Sequence, residues 1–301
     1  MSTQADNHAS SAGVAPTQPY LWSLRREMWE SRSLWIAPLA AAGFVLFGFA
    51  ISLARRPHLA GRISQMPASA RDAMHLIPYG IAMAAILVTV AVVSVFYCVG
   101  ALYNERRDRS ILFWKSMPVS DATTVLAKAS VPLLVLPLIV FCVICATQLV
   151  MLLLSSAAAL ATPPGELLWG PVPLLRIWAL LAYGLVTLTL WLAPIYGWLL
   201  VISAWARRGP FLWAVLPPFA IAVVEKLAFD TSYFADFVKY RIHGGLEQAF
   251  VSLPHHDHNS FEWPVPDPAK YFSTPGLWAG LLAAAALLAV AIWLRRRREP
   301  A

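Results

Sequence analysis

The chain reads as an all-α integral membrane protein of six transmembrane helices. An interfacial amphipathic helix precedes them, and an outer re-entrant or amphipathic region comes before the last. Three observations predict this fold. Of 301 residues, 59% are hydrophobic and only 13% charged, with a mean hydropathy of +0.62, whereas soluble domains are about 25% charged. Apolar runs of the roughly 20 residues needed to cross a hydrocarbon core recur six times. The 13 tryptophans suit helices that pass through the headgroup layer, where Trp concentrates. The net charge of +7 fits anchoring at a cytoplasmic face, and no nucleic-acid partner is needed to explain it.

Residues 1–19 are rich in Ser, Ala, Gln and Asn and lack a charged stretch followed by an apolar core, which predicts a disordered tail and no cleavable signal. Residues 20–33 place Leu21, Leu24 and Met28 at helical spacing, with Arg25, Glu27 and Arg32 elsewhere on the surface, as in a helix lying in the membrane interface. The spans follow at about 34–54, 77–103, 131–154, 174–206, 211–229 and 277–294. Pro132, Pro137 and the pair Pro217-Pro218 predict bends within spans, since neighbouring helices can satisfy the freed carbonyls. Pro194, midway between Trp191 and Trp198, is a possible hinge or a fixed kink. Gly276 and Gly280 form a small-residue pair that lets helices approach closely. Residues 230–275 form the sizeable non-membrane segment, rich in aromatics and closing on Pro264, Pro266 and Pro268, and are read as lying on the outer face.

Charge distribution orients the chain. With the N-terminus inside, cytoplasmic segments collect Arg25, Arg26, Arg32, Arg106, Arg107, Arg109, Lys115, Lys128, Arg207, Arg208 and Arg295 to Arg298. Arg55, Arg56, Arg62 and Arg71 fall on the other side. An even number of spans then leaves both termini in the cytoplasm. Arg176, Glu225 and Lys226 sit near span ends, where their charges reach the interface or pair. Cys98, Cys142 and Cys145 all lie in apolar runs and read as small buried hydrophobes.

Chemistry-bearing motifs are sparse. The chain has no Gly-x-x-x-x-Gly-Lys-Ser/Thr phosphate loop, no His-Glu-x-x-His and no Gly-x-Ser-x-Gly. No cofactor or metal site is expected within it. His255, His256, Asp257 and His258 cluster in sequence, but neighbours so close rarely all face one ion, and a polar outer loop is the reading.

One segment is unusual. The connector 104–130 carries Glu105, Arg106, Arg107, Asp108, Arg109, Lys115 and Asp121, charges that a bilayer cannot solvate and that place it in water. Among them stand Ile111, Leu112, Phe113, Trp114, Met117, Pro118 and Val119, an apolar side that needs something to rest against.

Glu105 to Ser120, followed by Asp121 and a span, resembles the first inner connector of ABC-2 type membrane subunits of ATP-binding-cassette exporters. In that family the stretch begins with Glu and a basic residue, passes a Gly-Thr-like pair and a hydrophobic patch, and ends Pro-Val/Ile-Ser. Here Arg109-Ser110 replaces the Gly-Thr pair. The order of elements over residues 20–298 is also similar. The resemblance implies a permease whose ATPase is a separate cytosolic subunit that holds ATP and Mg, paired with a second permease copy or paralogue in a bacterial inner membrane. It implies that a short helix around Ser110 to Met117 inserts Leu112, Phe113 and Trp114 into the ATPase, with Glu105, Arg106, Arg107 and Asp108 forming charge pairs around it. Two readings of other classes stay open: a membrane-embedded enzyme centred on the outer histidines, and a non-transporting anchor or sensor for a cytosolic protein.

Overall fold

The computed structural model describes residues 18–55, 68–108, 119–160, 172–251 and 263–297. Their elements, in order, are α1 (Gln18–Glu30), α2 (Ser33–Arg55), α3 (Ala68–Ala101), α4 (Tyr103–Arg107), α5 (Asp121–Ser130), a π-helical turn (Val131–Val135), α6 (Leu136–Leu160), α7 (Leu174–Trp205), α8 (Pro210–Phe229) and α9 (Tyr233–Ala249). A two-stranded antiparallel hairpin of β1 (Phe250–Val251) and β2 (Val265–Pro266) follows, then α10 (Pro268–Ser273) and α11 (Pro275–Arg297).

Among the described residues six helical stretches are long and apolar enough to cross a membrane: α2, His75–Arg107, Asp121–Leu160, α7, α8 and α11. Length and side-chain composition make them so; 23 residues at 1.5 Å each already exceed the hydrocarbon thickness of about 30 Å. Their outward faces carry Phe44, Phe47, Phe96, Leu153, Leu216, Phe219 and Leu282, all exposed. So much apolar surface is a liability in water and is satisfied by acyl chains in a bilayer. α7 is the most enclosed of the six and α8 the least. Trp191, Leu200, Ile86, Ile144 and Leu136, all fully buried, mark the core that α7 builds with α3, α6 and α11.

Three expected features take a different form. The third span begins at Asp121 instead of 131, because helix continues through Pro132. A proline has no N–H to give and its ring crowds the turn before it; the π turn widens the helix there, and Leu136 N–H donates five residues back to Val131 O. The connector therefore has helix at both ends, α4 and α5. The helix at residues 18–30 is present, and Glu27, read from the sequence as a surface residue, is buried. Glu27 points into the protein, whereas Leu21, Trp22, Met28 and Trp29 face outward and only Leu24 of the expected stripe packs inward. Outward Leu and Trp are what a helix lying against a membrane surface presents, while an outward Glu27 would leave Lys128 and Tyr97.

Between α7 and α8 the chain turns in four residues, Ala206 to Gly209, and Gly209 adopts φ +57, a left-handed conformation that suits glycine. At the far end of the bundle, α9, the hairpin and α10 fold onto α7 and α11 around Trp191, Tyr271, Ala249 and Leu277.

Candidate functional site

The connector's two flanking helices end in a buried ion-pair network. Glu105, on α4, is 3% exposed, and both of its oxygens are engaged. Oε1 lies 3.1 Å from Lys128 Nζ and 3.2 Å from Arg26 Nη2, and Oε2 accepts from Arg295 Nη1 at 2.7 Å. Lys128, at the end of α5, also reaches Glu27 Oε1 at 2.7 Å, and Tyr97 Oη donates to Glu27 Oε2 at 2.9 Å. Arg295, in the last turn of α11, holds Asp121 Oδ1 with its Nε at 3.0 Å. Glu30 extends the network at its exposed edge, 3.0 Å from Arg26 Nη2, so four carboxylates (Glu27, Glu30, Glu105, Asp121) share three cations (Arg26, Lys128, Arg295).

Local helix physics agrees with these positions. Asp121 opens α5 behind Ser120, whose Oγ caps Thr123 N–H at 3.1 Å, and a negative charge is favoured at that end. Arg295 occupies the last turn of α11, where cations are favoured. Burying each charge costs several kcal/mol of hydration, which mutual pairing offsets only when every partner is present. Glu105 is the hub, since it alone touches three of the cations.

The start of the connector is also fastened to α7. Ser203 Oγ accepts from the N–H groups of Leu102 and Tyr103 at 2.9 and 3.0 Å, satisfying donors at the break between α3 and α4. Arg106 Nη2 donates to Ser203 O and Ala206 O at 2.7 and 2.8 Å and so closes the carbonyl end of α7. The expectation that Glu105 and Arg106 lie in water is thus corrected. Both are buried, with partners inside the chain, because the four neighbouring helix ends supply the compensating groups that bulk water would otherwise provide.

Of the other residues singled out from the sequence, Arg107 and Asp108 are exposed and pair with each other at 3.0 Å. Arg109, Leu112, Phe113, Trp114, Lys115 and Pro118 lie outside the described residues, as do His255, His256, Asp257 and His258. Pro194 sits inside an unbroken α7, one turn after the fully buried Trp191. Sequence reasoning missed Glu27, Arg26, Lys128, Arg295, Tyr97 and Ser203 as members of one cluster. The available signal was balance: acidic and basic residues stand within a turn or two of four different span ends on the same predicted side.

Two further features occupy the rest of the bundle. An apolar cavity of about 380 Å³ opens between α3 and α7, lined by Tyr79, Met83, Leu87, Leu181, Leu185 and Leu188 and closed toward the far end by Leu246, Phe250 and Trp263. At that far end Arg241 of α9 is buried with its guanidinium 4.7 Å over the Trp191 ring, and Nη1 donates to Gly276 O at 2.9 Å. Burial holds this guanidinium below the ordinary arginine range. A Cβ on Gly280 would overlap the guanidinium, so the Gly276 and Gly280 pair makes room for the side chain of α9 as well as for helix contact. Among the described residues, no group of three His, Cys, Asp or Glu side chains is placed to hold a metal ion.

No family model, curated protein or solved structure matches this chain.

Proposed function

We propose that this chain is the transmembrane permease subunit of an ATP-binding-cassette exporter of the ABC-2 type. A separate cytosolic ATPase binds ATP and Mg and drives it, and a second permease copy or paralogue completes the pathway. The observation that carries the reading is the anchoring of the connector at both ends. The connector runs between α4 and the α5 start of the third span, and Glu105, Asp121 and Lys128 tie those elements to α1 and α11 while Arg106 ties the first to α7. A push on the connector is then delivered to five helices together. Its apolar residues Leu112, Phe113 and Trp114 are the proposed contact with the ATPase, flanked by the exposed Arg107 and Asp108.

On this reading the connector end faces the cytoplasm of a bacterial inner membrane, with both termini on that side. α2 and α8 line the contact with the second permease; α8 offers the broad exposed face of Leu212, Leu216, Phe219 and Leu227. The apolar lining of the cavity between α3 and α7 suits a lipid-like or amphipathic cargo.

The deciding experiment co-expresses the tagged chain with its neighbouring ATPase and compares wild type with Phe113→Ala and Glu105→Ala. Co-purification with ATP hydrolysis that falls in both variants is the expected result. Absence of any ATPase partner sinks the proposal.

A further inference from the structure

Beside the ion-pair network lies a second cavity, of about 280 Å³, which coupling leaves without a role. It is walled by Tyr103, Arg106 and Arg107 of α4 and by Ala206, Arg207 and Arg208 of the turn between α7 and α8. Four arginines therefore contribute to the lining of one small space. Glu105 is turned away into the network, while Asp108 pairs with Arg107 and so engages one of the four. Arg207 and Arg208 have no carboxylate partner among the described residues. Arg106 is buried and fixed in position by its two carbonyl bonds, so one wall of the cavity is rigid. Planar guanidinium groups in such an array match the oxygens of a phosphate.

The surroundings specify which kind of phosphate. Trp205 and Trp213 flank the arginine turn on either side, partly exposed and edge to face at 5.0 Å, as aromatic side chains are placed at the level of lipid headgroups. Phe96 and Phe211 stack at 5.6 Å and are both exposed. Phe96 precedes Tyr103 by seven residues, about 10 Å along the helix. An apolar strip thus runs from the basic cavity toward the middle of the spans. A soluble anion would leave that strip unused, whereas a phospholipid would cover it. We infer that the cavity binds the phosphate of an anionic phospholipid whose acyl chains lie along Phe96 and Phe211. The inference rests on the six spans and holds whatever partner the connector serves.

The test uses the full-length protein purified in an uncharged detergent. Native mass spectrometry and thermal melting are followed with added phosphatidylglycerol, with phosphatidylcholine, and with inorganic phosphate. Phosphatidylglycerol should be retained and should raise the melting temperature more than phosphatidylcholine does. Arg207→Gln with Arg208→Gln should weaken its binding about thirty-fold, from the usual contribution of a basic side chain near an anionic surface. Arg25→Gln with Arg32→Gln removes equal charge from exposed positions at the same end and should leave binding nearly unchanged. If the first double variant does not elute as a single species, Arg207→Gln alone replaces it, with about fivefold weakening expected. Equal loss in the two charge-matched variants, or no loss in either, overturns the site. Displacement of phosphatidylglycerol by equimolar inorganic phosphate overturns the lipid assignment.

Discussion

Glu105→Gln keeps the shape of the hub and removes the one carboxylate that Arg26, Lys128 and Arg295 share, at a position nearly closed to solvent. Loss of one partner from a buried pair usually costs about 3–5 kcal/mol. Here Lys128 keeps Glu27 at 2.7 Å and Arg295 keeps Asp121 at 3.0 Å, which places the expected loss at the low end, about 3 kcal/mol. At about 2.1 cal/mol/K per residue, a chain of 301 residues shifts its midpoint by about 1.6 °C per kcal/mol, so a drop of about 5 °C is expected. Thermal unfolding in detergent, followed by tryptophan fluorescence and by the fraction of monodisperse protein, measures it. Asp108→Asn is the matched control: it removes an equal charge from a neighbour that is 58% exposed, and surface changes of that kind stay within about 0.5 kcal/mol. Adding Lys128→Met to Glu105→Gln should cost less than the sum of the two singles, because the pair shares one environment. The reasoning is refuted if Glu105→Gln melts no lower than Asp108→Asn, or if the double variant is simply additive.

Two other outcomes follow from the far end of the bundle. Gly280→Ala should displace the Arg241 guanidinium and destabilise by about 1–3 kcal/mol, as overpacking does. Gly43→Ala, where a Cβ meets nothing within 4 Å, should be neutral, and equal melting of the two would contradict the close approach. Tyr271 donates to Thr187 O at 2.6 Å, and burial pushes its phenol up to about 12. An unfolded tyrosine loses its proton near pH 10. Between these values the unfolded state binds fewer protons, so this group's contribution to stability falls as pH rises. Tyr271→Phe should lower stability at pH 8 and flatten the alkaline decline; parallel pH profiles for the two proteins would exclude this role.

The six spans were legible because length and apolarity alone specify them, and a proline within a run stops neither. Element edges were less so. α5 joined the third span because its own composition is mixed, Asp121 and Lys128 being polar in sequence but placed inward by partners that no local window includes. The same physics turned Glu27 of α1 inward. An amphipathic pattern says that a helix has two faces, and only the surrounding medium decides which one turns outward. Glu105 and Arg106 were recognised as unusual but assigned to solvent, since their compensating groups lie 79, 23 and 190 residues from Glu105 (Arg26, Lys128, Arg295) and 97 residues from Arg106 (Ser203).

The network also carries a consequence for biosynthesis. Glu27 is among the first buried charges to leave the ribosome, Glu105 and Asp121 come next, and Arg295 arrives only with the final helix. Until α11 is inserted, Glu105 and Asp121 lack Arg295, and Glu27, Glu30, Glu105 and Asp121 have only Arg26 and Lys128 to balance them. Insertion of α11 supplies the cation that Glu105 and Asp121 share, which couples its correct placement to closure of the bundle around α1. A chain truncated before Arg295 would therefore be exposed as incomplete by its own electrostatics, with α1 and the connector left loose for proteolysis.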